Sequence, residues 1–366
     1  VLPLSSTPAA DLLAWYDRHR RRMPWRHPPG EAADPYRVWL SEIMLQQTTV
    51  AAVIPYFERF LSRFPTVAAL AEAPEEVVMA AWAGLGYYAR ARNLHACAKQ
   101  VAALGGFPAT VEALRLLPGI GAYTSAAIAA IAFGVPVVPI DGNVERVISR
   151  LAAITTPLPA SRPAIAVATA AFGSDQAAHA RPSDFAQALF DLGATICTST
   201  NPACALCPLM AGCQARAQGI AAELPRKLAK KKRPIRHGAH FWLTNPDGQV
   251  LLRRRPPRGL LGGMTELPGT TWRSEPWTEA EAIVEAPMRA DWRLVGRATH
   301  GFTHFELLID VYAATSRTIQ AEGFLRPAAD LGQEAFPTVM LKCVRVAQDA
   351  ALSPAGGSAM VPAETR

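Results

Sequence analysis

A short basic run divides this chain. From Glu223 to Arg236 there are seven Lys and Arg against one Glu, and this run holds most of the net charge of +7. The stretches on either side are close to neutral. Before the run the sequence is Ala-rich, with apolar residues at helical spacing; after it the pattern changes to short strand-like runs. A chain patterned this way must build two cores, and 366 residues suffice for both. The expected organisation is a helical unit over 1–222, a basic linker over 223–236, an α+β unit over 237–352 and a Pro/Gly/Ala-rich disordered tail over 353–366. The run itself reads equally as a linker that touches phosphate and as a solvated hinge.

Half of the residues are hydrophobic, which excludes a disordered chain. The closest approach to a membrane span, Ala126 to Ile140, is interrupted by Gly134, Pro136 and Pro139. Pro3, Pro8 and Asp11 break up any signal-peptide core at the N-terminus. The expectation is a cytoplasmic protein that does not engage a membrane.

In the helical half, residues 9–22 read as an opening helix. Its arginines, Arg18, Arg20, Arg21 and Arg22, suit either a solvated face or a phosphate contact. Val38 to Phe60 reads as helix with a break near Pro55, and it carries Glu42 followed by Gln46 and Gln47. Taken alone, Glu42 is best explained as a first-turn carboxylate that complements the helix dipole. Residues 66–82 and 87–104 read as two more helices. The turn between them, Gly84-Leu85-Gly86-Tyr87-Tyr88, is an ordinary helix–helix connection unless Tyr87 wedges into a base stack.

The stretch 110–133 reads as helix, Leu117-Pro118-Gly119-Ile120-Gly121, and a second helix. Such a turn presents consecutive backbone N–H groups at a helix N-terminus, a geometry that takes a phosphate without reading any base. Asp141 precedes a helix over Val144–Leu151, where capping explains it. Residues 155–182 give no clear pattern, and 185–196 is helical. Cys197, Cys204, Cys207 and Cys213 then follow as C-x6-C-x2-C-x5-C. Four thiols this close favour a metal centre over disulfides. Zinc is the competing occupant, although only one C-x2-C pair is present. Cys97 and Cys343 read as buried thiols.

Beyond the basic run, Ala239–Leu243 and Gln249–Arg253 read as a β-hairpin around Asn245-Pro246-Asp247-Gly248. Strands are expected at 292–298, 304–313 and 318–320, with helices at 278–286 and 338–351.

Four motifs stand in one order: Ser41-Glu42-Ile43-Met44-Leu45-Gln46-Gln47-Thr48, Leu117-Pro118-Gly119-Ile120-Gly121-Ala122-Tyr123-Thr124, Ile140-Asp141-Gly142-Asn143-Val144 and the cysteine array. Together they closely resemble the MutY-type adenine DNA glycosylases of the helix-hairpin-helix, endonuclease III-like superfamily. The resemblance runs from Asp11 to Cys213 and continues more weakly into a Nudix-like domain. It implies an all-α helix-hairpin-helix glycosylase domain, comprising a six-helix barrel and a 4Fe–4S subdomain into which the N-terminal helix interleaves, followed by an α+β Nudix-like domain. It implies base excision of adenine opposite 8-oxoguanine or guanine in double-stranded DNA, by a monomer.

The same resemblance makes Glu42 the general acid on adenine N7 and Asp141 the stabiliser of the oxocarbenium ion, with Asn143 and Tyr123 orienting them. It gives the cluster to Cys197, Cys204, Cys207 and Cys213. Gln47, Thr48, Leu85, Gly86 and Tyr87 would fill the gap and meet the opposite base, and Gly119 and Gly121 would meet the backbone. Lesion recognition falls to Phe302, Thr303 and His304, where Thr303 stands in place of the family's Ser. Tyr123 occupies the position at which strand-cutting relatives carry a Schiff-base lysine, and a tyrosine forms no imine; a monofunctional hydrolase is expected. Asp191 stands where some relatives carry Glu and is left out of the catalytic set. The chain has no Arg-Glu-x-x-Glu-Glu signature after Gly269, so the second domain is expected to bind and not to hydrolyse.

Overall fold

The computed structural model describes residues 7–28, 31–228, 232–256 and 259–352. The tail expected over 353–366 lies outside the described residues, as do Lys230 and Lys231 of the basic run. The chain forms two units, Val1–Ala81 with Arg90–Lys230, and Trp82–Ala89 with Lys231–Arg366.

The first unit is helical: α1 (Pro8–His19), α2 (Pro35–Leu45), α3 (Val50–Arg63), α4 (Val67–Glu72), α5 (Glu75–Trp82), α6 (Ala89–Ala103), α7 (Val111–Leu114), α8 (Ala122–Phe133), α9 (Gly142–Leu151), α10 (Arg162–Gly173), α11 (Gln176–Ala180), α12 (Pro182–Thr195) and α13 (Gln214–Ala217). Side-chain caps set many of the starts. Thr7, Asp34, Thr49, Thr66 and Thr110 each accept a first-turn N–H, and proline follows at once in α1 and α2. The segment that gave no pattern in sequence holds α10 and α11.

The break expected at Pro55 falls instead at Gln46–Thr49, and α3 runs through Pro55. Gln47 adopts a left-handed conformation, φ 57°. The Arg90 guanidinium donates to the carbonyls of Ile43 (2.8 Å), Met44 (3.1 Å) and Gln46 (2.6 Å). It thereby satisfies the carbonyls that end α2, and the helix stops there. Between α7 and α8, Gly119 has φ 75°, and a Cβ there would lie 2.8 Å from the Cβ of Asn93. Both facts require glycine at the centre of the hairpin.

Helix α1 buries Leu12, Leu13, Trp15 and Tyr16 in a core shared with Val144, Val147 and Ile148 of α9 and with Phe185, Leu189 and Leu192 of α12. The first helix of the chain therefore packs with the later segments, as the interleaved arrangement requires.

In the second unit, β1 (Ile235–Thr244), β2 (Gln249–Arg254), β3 (Thr265–Glu266), β4 (Arg293–Gly301), β5 (Glu306–Thr315) and β6 (Phe324–Pro327) form one sheet, with α14 (Glu279–Val284) and α15 (Thr338–Leu352) against it. The order is β3-β2-β1-β5-β4, and β6 also pairs with β2. β1 and β5 run parallel from Ile235↔Glu306 to Thr244↔Thr315; β1–β2 is the expected antiparallel hairpin. Ala239, Phe241 and Leu243 pack with Ala282 of α14, while Trp242 packs on the other side with Val339 and Met340 of α15. Alternation along one strand thus fills two layers. No strand forms at 318–320, where the Ser316 hydroxyl donates to the Thr318 carbonyl at 2.8 Å and the chain bends. The strand comes later, at β6, and pairs antiparallel with β2. Among the described residues no helix is long and apolar enough to cross a membrane.

Candidate active site

A cleft of about 630 Å³ in the first unit is lined by Glu42, Tyr123, Asp141, Asn143, Arg26 and Gln187, among others. Segments far apart in sequence build it. Glu42 lies late in α2, not in its first turn, so the helix-dipole explanation does not apply. The residue is 7 % exposed. The Tyr123 hydroxyl, from the first turn of α8, donates to Glu42 Oε2 at 2.7 Å. Burial is the largest influence on Glu42 and pushes its carboxyl up to about 7. The Tyr123 hydrogen bond and Arg26 pull it down, and the Asp141 charge pushes it up. A carboxyl that titrates there can carry a proton at neutral pH and release it in a reaction.

Asp141 caps α9. Its Oδ1 accepts the backbone N–H groups of Asn143 (2.9 Å) and Val144 (2.8 Å), and its Oδ2 accepts the Asn143 side-chain amide at 2.8 Å. Burial pushes the Asp141 carboxyl up, and the N–H donors of Val144 and Asn143 and the Arg146 charge work against it without overcoming it. The cap explains the local fold, and the same carboxylate lines the cleft with Glu42 and acts on it through its charge. Asn143 is held in turn. Arg146 donates to Asn143 Oδ1 at 2.9 Å, to the Gly193 carbonyl at 2.6 Å and to the Cys197 carbonyl at 2.7 Å. A Cβ on Gly193 would lie 2.6 Å from the Asn143 Cβ, so α9 and α12 meet at this point only because residue 193 has no side chain.

Cys197, Cys204, Cys207 and Cys213 line one largely apolar cavity beside α9, and none is disulfide-bonded. Arg150, 2 % exposed, donates to Cys197 Sγ at 3.3 Å and to the Thr198 carbonyl at 2.7 Å. Burial pushes the Cys207 thiol up to about 11 and raises Cys197 as well. Such thiols ionise only for a strongly cationic partner. Among the described residues no three His, Cys, Asp or Glu side chains gather closely enough to hold a single metal ion. Cys97 and Cys343 are buried, as expected.

Gln47 is exposed at the turn after α2, and Thr48 beside it is half-buried. Gly121 gives α8 no side-chain cap. Leu85, Gly86 and Tyr87 belong with the second unit: Leu85 is buried, Gly86 and Tyr87 have φ 72° and 50°, and the Tyr87 ring is half exposed. Between β4 and β5, Thr303 and His304 are exposed. Phe302 instead packs inward, with ring centroids 4.7 Å from Phe305 and 5.8 Å from Trp272. Glu281, one of the few acids near a Nudix helix position, closes a capping box with Thr278 and pairs with Arg273.

Sequence reasoning missed the basic wall of the cleft. Helix α1 stops at His19, and Arg21 and Arg26 turn inward onto Asp191, which is fully buried. An acid in the apolar run Phe185–Leu192 was the available signal, because a buried charge needs partners.

Residues 40–165 match the HhH-GPD superfamily base excision DNA repair proteins, and residues 239–346 match the NUDIX domain. The human adenine DNA glycosylase is 35% identical over 403 residues, spanning 92% of this chain and 73% of that protein. The chain belongs to the adenine DNA glycosylase family. The adenine DNA glycosylase of Mycolicibacterium smegmatis is 41% identical over 214 residues, 58% of this chain and 70% of that one. Among solved structures, a thermostable thymine-DNA glycosylase matches with a TM-score of 0.48 and 27% identity, covering 57% of this chain and 95% of that chain. As an adenine DNA glycosylase, the chain is a hydrolase of N-glycosyl bonds in base excision repair, with a helix-hairpin-helix domain followed by a Nudix-like one.

Proposed function

We propose that this enzyme removes adenine paired with 8-oxoguanine or guanine in double-stranded DNA, and that it leaves the strand intact. One observation carries the reading: a buried Glu42, raised to about 7, bonded to Tyr123 and sharing its cleft with Asp141. Adenine is a poor leaving group until protonated, and the sugar left behind is cationic. One carboxyl that can give a proton and one that can stay ionised meet these two demands. Glu42 delivers a proton to adenine N7 as the C1′–N9 bond breaks. Asp141, anchored by Asn143, faces the developing oxocarbenium ion. Water then adds at C1′, gives up a proton to the Glu42 carboxylate, and yields an abasic site. The base must leave the stack to reach this cleft. Gln47, Thr48, Leu85, Gly86 and Tyr87 take part in filling the gap and meeting the opposite base. The Gly119–Gly121 turn takes a phosphate, and the 223–236 run adds backbone contact as a linker. The Phe302-Thr303-His304 loop meets the lesion through Thr303 and His304, with the partly buried Phe302 as its anchor.

Cys197, Cys204, Cys207 and Cys213 would hold a 4Fe–4S cluster. Four unbridged thiols around one cavity, with an Arg150 N–H aimed at a sulfur, suit such a group. When bound, the cluster would cross-link the 197–213 loop. Through Arg146 and Arg150 that loop is tied to the helix whose first turn carries Asp141 and Asn143. We read the protein as a monomer.

The test is a labelled duplex with one adenine opposite 8-oxoguanine. Cleavage at that adenine only after alkali is expected. Cleavage without alkali, or a borohydride-trapped enzyme–DNA adduct, would contradict the monofunctional assignment. A duplex that is bound and never processed would refute the proposed substrate.

A further inference from the structure

We infer that Asp191 is a positioning residue that keeps Glu42 a working acid, by neutralising the arginine placed beside it. The inference rests on the reading of Glu42 given above. Asp191 sits on α12 with no exposure to solvent. Its two oxygens accept four N–H donors: Arg21 N at 3.0 Å, Arg21 Nε at 2.6 Å, Arg26 Nη1 at 2.6 Å and Arg26 Nη2 at 2.8 Å. Arg26 uses the same Nη1 to donate to the Arg21 carbonyl at 3.1 Å, so the loop after α1 is folded around this one carboxylate.

Arg26 matters because of where it stands. It lines the cleft together with Glu42, and its charge favours the ionised form of Glu42. A bare guanidinium in that position would hold Glu42 as a carboxylate and deprive it of the proton it must give. The paired guanidinium does so far less, because Asp191 supplies an equal and opposite charge at hydrogen-bond distance. Burial opposes the charge on Asp191, but the Arg26 and Arg21 donors hold its carboxyl below the ordinary range. The groups that face Glu42 are Tyr123 of α8, Asp141 at the head of α9 and Arg26. Those that share the surroundings of Asp191 are Arg21, Arg26, Tyr16 of α1 and Asp184 on its own helix. Arg26 belongs to both groups, and through it Asp191 acts on the acid.

The mechanism makes predictions of opposite sign at adjacent residues. Single-turnover excision by the full chain, measured from about pH 5 to about pH 9, should fall as Glu42 loses its proton. Asp191→Asn should move that fall to lower pH by about one pH, leaving the rate about tenfold lower near pH 8 and unchanged well below the midpoint. Arg26→Gln should move it to higher pH, and the double variant should return it close to the parent. A carbon-13 titration of the Glu42 carboxyl should show the same displacements without any turnover.

If Asp191→Asn lowers the rate by one factor at every pH, Asp191 is merely structural and the inference fails. It also fails if Arg26→Gln shifts the profile in the same direction as Asp191→Asn. Should Asp191→Asn not fold, Arg26→Gln decides alone. Glu42→Gln separates the two levels. If that variant keeps its activity, the assignment of Glu42 falls. If it is inactive while the Asp191→Asn profile stays in place, only the role of Asp191 falls.

Discussion

Glu42 should weaken the fold it belongs to, and the weakening should depend on pH. Its carboxyl is raised from 4.5 to about 7, chiefly by burial. Each tenfold change in proton affinity is worth about 1.4 kcal/mol, so the folded state favours the protonated form by about 3 kcal/mol relative to the unfolded chain. Below about pH 4.5 the residue is neutral in both states and there is no penalty. As pH rises toward 7 the unfolded chain gives up the proton readily and the folded one resists, so stability drains away. Above about 7 the whole penalty is in force. Replacing Glu42 with Gln keeps the shape and removes the charge. The variant should match the parent below about pH 4 and exceed it by about 3 kcal/mol at pH 8, a gain of several degrees in melting temperature. The assay is a set of paired thermal melts of parent and Glu42→Gln across that range, in which effects common to both proteins cancel. If the two melting curves move in parallel with pH, Glu42 is not buried against its charge and the argument for a poised acid fails. The variant should lose excision while it gains stability, as expected of a site that trades one for the other.

Other changes test the rest of the site. Tyr123→Phe removes a donor that favours the ionised carboxylate, so the alkaline fall in single-turnover rate should move to still higher pH. Asp141→Asn removes the negative charge opposed to the cationic sugar, and should cost about 10²–10³ in rate with duplex binding retained. Gly193→Ala forces a Cβ to 2.6 Å from Asn143 and should cost at least about tenfold in excision, together with stability in the melt. Cys204→Ser should reduce the iron bound per chain and weaken DNA binding in a gel-shift titration, because it removes one of four thiols from a shared cavity.

Much of the site was legible in sequence because its parts are local. A cap such as Asp141 and a glycine turn such as 117–121 are written in a few adjacent residues. So is a cysteine array. The two-unit plan was visible in the composition change around 223–236, and the β1–β2 hairpin in its Asn-Pro-Asp-Gly turn. What escaped depends on partners distant in the chain. The break after Leu45 is set by Arg90, a residue of a different helix, so proline was the wrong guide. Arg21 reads as surface until the buried Asp191 draws it inward. Phe302 was expected in a lesion-binding loop, and its packing against Trp272 and Phe305, distant or later in the chain, could not be read from the motif. Glu42's depth in the protein could not be read from α2 alone, since α8 and the loop after α1 close over it.

The packing of α1 on α12 has a consequence for synthesis. Arg21 and Asp191 are separated by 170 residues, and a ribosome adds roughly 5–20 residues per second. The opening helix therefore emerges and waits, on the order of ten to thirty seconds, for the segment that completes its core. During that interval Leu12, Trp15 and Tyr16 lack the α12 side of their core, and Arg26 lacks the Asp191 counter-charge. A nascent chain halted before residue 191 holds the acid and lacks the electrostatic setting in which it works. Competence waits until α12 has left the exit tunnel and folded back onto α1.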